Sequence, residues 1–244
     1  MQQLDFSKRS KLSEIIDDPS ALSLTDWKRT LGDLCWVNRW LGGTKAILRE
    51  TAGLIGDFIR IKGKNDPIQV VDFGCGSADI AVAMVKWARK KRYSVHVLAI
   101  DFNHTVCCIA REKCQDFPEI TVIQGDVLHP PLREAGCDLI FCSAFLHHFS
   151  DGVVSFILKS LIRKARQGVI ISDLHRHPLS YWGIFLVSRL FSCSEAVCND
   201  GPLSVLKGFS KIEIGRILRA AGIELFNTRW AWAFRWVIHI PISR

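Results

Sequence analysis

An apolar stretch that ends in a glycine-rich turn constrains the fold of this chain most strongly. Residues 68–79 read IQVVDFGCGSAD, a short β-branched run followed by Asp72, Gly74 and Gly76 and then by helical spacing. This order predicts a buried parallel strand that passes through a tight turn into a crossover helix. Two glycines one residue apart let the backbone approach a ligand closely, and the helix N-terminus adds a partial positive charge. We therefore expect a ligand at this turn.

The same turn argues against a dinucleotide. In the nicotinamide-cofactor pattern G-x-G-x-x-G, the third glycine would fall at Asp79, where a pyrophosphate would meet a carboxylate. The turn instead resembles motif I of the class I S-adenosylmethionine-dependent methyltransferases, an acid followed by alternating glycines, which here becomes Asp72, Gly74, Gly76 and Ala78. The resemblance implies S-adenosyl-L-methionine as the cofactor, with Asp72, Gly74 and Gly76 among the residues that bind it.

The pattern of the chain predicts its architecture. Its 244 residues, of which 48% are hydrophobic, can bury one large α/β core. Strand-like and helical segments alternate from residue 68 to about residue 177, which predicts a parallel sheet with crossover helices. The resemblance implies a doubly wound, seven-stranded, Rossmann-like sheet whose last strand is antiparallel. Residues 44–244 would form the methyltransferase domain, with residues 178–210 inserted as a helix and loop that cover the site as a lid.

The segment before this domain, residues 1–43, is expected to form an arm and a cap helix. The polar residues 1–23 are weakly patterned and indicate a loose arm, with one helical turn as an option. The cap helix shows helical spacing of apolar residues, with Thr25 or Asp26 as its N-cap.

Residues at the ends of the next two strands complete the expected cofactor site. Asp101 ends the second strand, 22 residues beyond Asp79, where an acid can accept both hydroxyls of a ribose, and Phe102 could lie against the purine. Past the third strand, the resemblance implies that Asp126 binds the adenine amino group and that the backbone N–H of Val127 binds a ring nitrogen. A plain Gly-Asp turn is the alternative reading there.

Two further cofactor contacts are expected on weaker grounds. Ser143 lies at the end of the fourth predicted strand, CDLIFCS, at the edge of the sheet where ligands gather. Arg39, on the N-terminal helix, is assigned to the methionine carboxylate of the cofactor from its charge alone.

Histidines follow the fourth and fifth predicted strands as two pairs, His147 with His148 and His175 with His177. Methyl transfer to a hydroxyl requires removal of a proton, and the unperturbed pKa of histidine lies near neutrality. We take His175 as the base, with Asp173 holding or orienting it, and His148 as the next candidate. Capping of a turn or packing on the helix is the alternative for His147 and His148.

Charge and cysteine usage limit the partners and the compartment. The formal charge is +8, but the basic residues cluster at predicted helix ends, so we expect no nucleic-acid partner. Nine cysteines without paired C-x-x-C spacing favour a reducing compartment, and the apolar runs are too short to span a bilayer. We therefore expect a cytoplasmic protein. A metal held by His175, His177, Cys193 and Cys198 matches no structural zinc spacing, so no metal is expected.

The acceptor is expected to be apolar. The inserted segment is rich in aromatic residues. The chain also resembles methyltransferases of quinone and aromatic polyketide biosynthesis in four short motifs, DFGCGSAD, LAIDFN, QGDV and FLHHF. The resemblance implies O-methylation of a phenolic, quinol or polyketide-type acceptor, free or attached to a carrier protein, by a chain that could form a homodimer. C-methylation of a similar ring, RNA methylation and a non-catalytic binding module of the same fold stay open as alternatives.

Overall fold

Seven strands form one mixed sheet in the computed structural model, which describes residues 4–62 and 67–242. The sheet order is β3-β2-β1-β4-β5-β7-β6. The first five strands are parallel, and β7 runs antiparallel to both of its neighbours. This confirms the expected doubly wound sheet with an antiparallel last strand. The strands are β1 (Ile68–Phe73), β2 (Val95–Asp101), β3 (Ile120–Gln124), β4 (Cys137–Ser143), β5 (Ala165–Leu174), β6 (Asn227–Ala231) and β7 (Arg235–Pro241).

Helices cover both faces of the sheet because successive strand residues point to opposite sides. In β1, Val70 packs into a core with α2, α3 and α4, whereas Val71 packs into a second core with α5 and α8. The helices of the described chain are α1 (Leu24–Trp40), α2 (Gly43–Lys62), α3 (Asp79–Lys91), α4 (His104–Cys114), α5 (Asp151–Lys164), α6 (Pro178–Leu190), α7 (Glu195–Lys207) and α8 (Lys211–Ala220). Among the described residues, no helix is both long and apolar enough to cross a membrane.

The first helix begins earlier than the sequence pattern predicts. Ser23 has extended backbone angles, and its side-chain oxygen accepts the N–H of Asp26, so Ser23 is the N-cap. The expected cap at Thr25 or Asp26 is therefore wrong by two or three residues.

The N-terminal arm is fixed rather than loose. The Arg9 guanidinium donates to the backbone oxygens of His147, Phe149 and Lys207 at 2.7–2.9 Å. The N–H groups of Ile15 and the next residue donate to the buried carboxylate of Asp200 on α7. These bonds hold the arm across α7 and against the turn that follows β4.

The inserted segment contains two helices instead of one helix and a loop. Asn199, Asp200, Gly201 and Pro202 indicate a loop by composition, yet all four lie inside α7. The proline lacks an N–H to donate, but its side chain is buried, and α7 packs against α6 and the arm. Tertiary packing therefore overrides local propensity here.

Candidate methyl-transfer site

A cavity of about 850 Å³ opens at the carboxyl edge of the sheet. Parallel strands bring their carboxyl ends to one edge, so the loops after β1, β2, β3 and β4 all contribute to the wall. The arm, α1, α6, α7 and the β6–β7 turn close the other sides. This is the edge at which the sequence places its candidate residues.

The glycine-rich turn is built as the sequence predicts. Gly74 and Gly76 have φ of +67° and +52°, and a Cβ on Gly74 would overlap the ring of Phe145. The Oδ2 of Asp101 accepts the N–H of Gly76 at 3.0 Å, while its Oδ1 accepts the N–H of Asn103 at 3.0 Å. The carboxylate that ends β2 thereby fixes the turn that follows β1.

Several buried polar atoms in the cavity wall have no hydrogen-bond partner within the described chain, and two of them lie at strand ends. These two are Oδ2 of Asp72, at the end of β1, and Oγ of Ser143, at the end of β4. Burial raises the pKa of Asp72 well above its usual range, and the nearby carboxylates of Asp79 and Asp101 act in the same direction. Unpaired buried polar groups are costly, so both atoms fit a polar ligand in this cavity.

The candidate adenine contacts also line the cavity. Phe102 is 64% exposed, and Asp126 and Val127 follow β3. The Oδ1 of Asp126 accepts the N–H of Leu128 at 2.8 Å, so the Gly-Asp turn is formed as well. The adenine contacts stay predictions.

Asp173 orients His147 and not His175, the partner expected from the sequence. Its Oδ1 lies 2.7 Å from Nδ1 of His147, and its Oδ2 accepts the N–H groups of Phe145 and Leu146. Burial alone would raise the pKa of Asp173, but the interaction with His147 and the hydrogen bonds outweigh it and lower the pKa to about 2. His147 is only 2% exposed and lines the cavity. The expectation that Asp173 holds His175 is therefore wrong.

His175 itself is not part of the cavity wall. Leu174 lines the cavity, and side chains alternate along a strand, so the next side chain points away. The ring of His175 packs 4.8 Å from that of Trp236 and 5.3 Å from that of His177, centre to centre. The structure thus gives His175 a packing position instead of the expected place beside an acceptor.

Arg39 is likewise exposed and outside the cavity wall, whereas Arg235 is buried and lines it. Nη2 of Arg235 donates to Oδ1 of Asn38 at 2.9 Å, but its Nε and Nη1 find no acceptor in the described ranges. The sequence analysis missed Arg235. The signal was an arginine within the aromatic run WAWAFRW, where a charge is unusual unless it is paired.

His148 lines the cavity as expected and is paired with the arm. Its Nδ1 lies 2.6 Å from Oδ1 of Asp17, whose Oδ2 lies 3.1 Å from Nζ of Lys207. The same ammonium lies 3.3 Å from Oε1 of Glu14, a buried carboxylate. The sequence analysis missed Glu14 and Asp17 because it treated their segment as loose.

Ligand-type atoms of Glu14, His147 and His148 lie within 4.8 Å of one another, a grouping that could hold a metal. The Lys207 ammonium already faces Glu14 with a positive charge, although burial still raises the pKa of this carboxyl. The alternative metal set considered from the sequence, His175, His177, Cys193 and Cys198, is not brought together as a metal-binding group in the described residues.

Part of the chain that builds this site is similar to known proteins. Residues 70–168, from β1 into β5, match the family model described as a methyltransferase domain. These residues are therefore similar to a methyltransferase domain. This confirms the prediction of a methyltransferase enzyme and, together with the fold, the prediction of S-adenosyl-L-methionine as its cofactor. No curated protein sequence matches the chain.

Solved structures share the fold of this methyltransferase. Human N-acetylserotonin methyltransferase in complex with SAM is 18% identical with a TM-score of 0.62, over 91% of this chain and 57% of that one. A SAM-dependent methyltransferase from Aquifex aeolicus is 20% identical with a TM-score of 0.54, over 78% and 89%. The DszA carbon methyltransferase is 12% identical with a TM-score of 0.58, over 82% and 54%. The chain thus spans little more than half of the human and DszA structures.

Proposed function

We propose that this methyltransferase transfers the methyl group of S-adenosyl-L-methionine to a hydroxyl of a hydrophobic small molecule, of the phenolic, quinol or polyketide type. One observation carries the proposal. His147, held by the buried carboxylate of Asp173, lies on the wall of the same cavity as the glycine-rich turn fixed by Asp101. A group that can accept a proton and a site for the methyl donor therefore share one enclosed space.

The chain's own groups match the charged ends of the cofactor. Asp101, the acid at the end of β2, would accept the ribose hydroxyls. The unpaired Oδ2 of Asp72 would meet the ammonium of the methionine part, and the unpaired Nε and Nη1 of Arg235 would meet its carboxylate. Arg235 thus takes the role that the sequence analysis assigned to Arg39.

His147 is the proposed base. Its Nδ1–H donates to the ionised carboxylate of Asp173, which leaves Nε2 as the proton acceptor. A bound sulfonium would supply an electrophilic methyl group to the acceptor oxygen, with S-adenosylhomocysteine as the leaving group. The hydroxyl proton would pass to Nε2 of His147.

The walls of the remaining space are mainly apolar, which favours an aromatic acceptor over a polar one. Apolar and aromatic side chains that line it are Trp27, Leu31, Phe145, Ile184, Val187 and Trp232. The acceptor could be free or carried on a protein, since the mouth of the cavity is at the surface. All nine cysteines are free, which supports a reducing compartment such as the cytoplasm.

Carbon methylation of a similar ring is the second candidate. The shared fold with a carbon methyltransferase favours it, and the same base could remove a ring proton. RNA methylation has weaker support, because an apolar cavity wall lacks the cationic groove that tracks phosphates.

The test has two stages. Calorimetric titration with S-adenosylhomocysteine should give binding that Asp101→Ala abolishes. Incubation with S-adenosyl-L-methionine and a panel of phenols and quinols should then give products heavier by one methylene, with the position assigned by NMR. Absence of cofactor binding by the intact protein would overturn the proposal, whereas binding without any product would favour the non-catalytic module.

A further inference from the structure

Helix α6 presents an apolar stripe to solvent. Leu179, Trp182, Leu186 and Leu190 are 65%, 48%, 62% and 78% exposed. Their spacing of three, four and four residues places them on one face of the helix. A surface helix normally turns such a face to the core and its polar residues to water. This face is therefore unpartnered in the monomer.

The stripe continues across the N-terminal helix and the β6–β7 turn. Phe191, at the end of α6, packs 4.7 Å from Trp36, whose ring lies 6.1 Å from that of Trp40. Trp40 and Trp232 are each 67% exposed. The N–H of Ala233, next to Trp232, donates to the backbone oxygen of the residue after Trp40, so the β6–β7 turn is bonded to the end of the N-terminal helix. The apolar rim is defined as Leu179, Trp182, Leu186, Leu190, Trp40 and Trp232.

The rim borders the mouth of the cavity. Leu179 on α6 and Trp232 in the β6–β7 turn are both exposed to solvent, and both also line the cavity wall. Residues that belong to both surfaces mark the place where the cavity opens. An apolar compound that lies against the rim is thus already at the entrance.

The charged residues around the rim indicate which kind of partner binds to this surface. Residues 174–194 and 225–244, which hold α6 and the β6–β7 hairpin, contain no Asp or Glu. Exposed Arg39 and Arg189 precede Trp40 and Leu190 in sequence. The Arg189 guanidinium lies over the ring of Phe185, and the whole chain has a formal charge of +8. Leucines beside tryptophans and arginines match the acyl boundary and the anionic headgroups of a lipid surface.

We propose that the apolar rim docks this protein peripherally on a membrane that contains anionic lipids. The helix would lie in the plane of the interface with its leucines in the acyl region and its arginines at the phosphates. The mouth of the cavity then faces the lipid. The docking itself is independent of the proposed methyl transfer, although it would allow a lipid-dissolved acceptor to enter without crossing water.

The experiment is flotation of the full chain with vesicles of phosphatidylcholine alone or with about one third phosphatidylglycerol. The intact protein should float with the anionic vesicles, and added salt should weaken its binding. Leu186→Glu combined with Leu190→Glu should lower the bound fraction at least about tenfold. The matched control is Ile212→Glu combined with Leu225→Glu, which adds the same charge at exposed positions outside the rim and should leave binding intact.

Three outcomes would overturn docking through the rim: no flotation of the intact protein, equal losses in both double variants, or flotation that does not depend on anionic lipid. A separate measurement, sedimentation of the protein alone, tests whether a second copy of the chain binds to the rim instead of a membrane. If sedimentation shows a dimer that only the rim variant dissociates, and vesicles do not compete with it, the rim is a self-interface. Cofactor titration of each variant checks that it is folded and separates a failure of docking from a failure of the proposed function.

Discussion

His147 and Asp173 form a buried pair in which Nδ1 of the imidazole lies 2.7 Å from Oδ1 of the carboxylate. The pair joins the turn after β4 to the end of β5. Two backbone N–H groups, from Phe145 and Leu146, hold the other carboxylate oxygen, so the carboxylate is fixed in orientation. An ionised carboxylate at this distance favours the tautomer with the proton on Nδ1, which leaves Nε2, 3.8 Å from Oε1 of Glu14, as the proposed proton acceptor.

The first prediction is that His147→Ala lowers the turnover of methyl transfer by about 100-fold or more, because general base catalysis contributes about that much. Asp173→Asn should lower turnover as well, since an amide no longer selects the same imidazole tautomer. Affinity for S-adenosylhomocysteine, measured by calorimetry, should change little in His147→Ala. A loss of cofactor binding equal to the loss of turnover would instead indicate a structural role.

His175→Ala is the matched control for that experiment. The sequence hypothesis of His175 as the base demands a loss of about 100-fold, whereas the structure places this ring against Trp236 and outside the cavity wall. We expect turnover within a few-fold of the intact protein and a lower melting temperature from the lost packing. A large loss of turnover without a change in melting temperature would restore His175 as the base.

The second prediction concerns the buried guanidinium. Arg235→Gln should weaken binding of S-adenosylhomocysteine at least about tenfold, because charge-assisted bonds in a desolvated site exceed those at the surface. Arg39→Gln removes an exposed arginine at the end of α1 and should have little effect. Calorimetric titration of both variants shows whether Arg235 or Arg39 contributes to cofactor binding. Equal affinities of the intact protein and Arg235→Gln would remove Arg235 from the site.

The local parts of the site could be predicted from the sequence because short stretches determine them. The turn from β1 to α3 needs three positive-φ residues, and glycine occupies two of these positions while Ala78 occupies the third. Asn103 caps α4 through its side chain, as its position before the helical spacing predicts. Alternation of strands and helices then brings Asp72, Asp101 and Ser143 to the same edge.

The rest of the site depends on contacts that join distant parts of the chain. Asp17 meets His148 across 131 residues, and nothing in a polar arm of weak pattern indicates that partner. The choice between His147 and His175 is decided by which way each side chain leaves its turn or strand. Strand-exit histidines can be listed from a sequence, but their directions depend on the backbone of the final residues.

The third prediction compares two glycines that share a positive φ. Gly74→Ala should abolish cofactor binding, because the added Cβ would overlap the ring of Phe145 and displace the turn. Gly76→Ala meets only a side-chain carbon of Leu31 at 3.8 Å, so it should cost mainly the backbone strain, about 1–2 kcal/mol. Unfolding midpoints and calorimetry on both variants provide the measurement. Equal binding losses in the two variants would show that backbone conformation, not the contact with Phe145, is decisive.

The last prediction is a pH dependence of cofactor binding. Burial raises the pKa of Asp72, so a substantial part of this carboxyl is protonated in the empty cavity at pH values where an exposed aspartate is ionised. The ammonium of S-adenosylhomocysteine favours the ionised form, so binding should release a proton. Affinity should therefore rise as pH increases toward the raised pKa and level off above it.

Comparison of the intact protein with Asp72→Asn separates the titration of Asp72 from that of Asp79 and Asp101, whose pKa values burial also raises. Titration in two buffers of different ionisation enthalpy counts the protons released. The intact protein should release more protons than Asp72→Asn, and its affinity should show the steeper pH profile. The same proton count in both proteins would mean that Asp72 does not face the ammonium, and the cofactor's methionine end would then have to be placed elsewhere in the cavity.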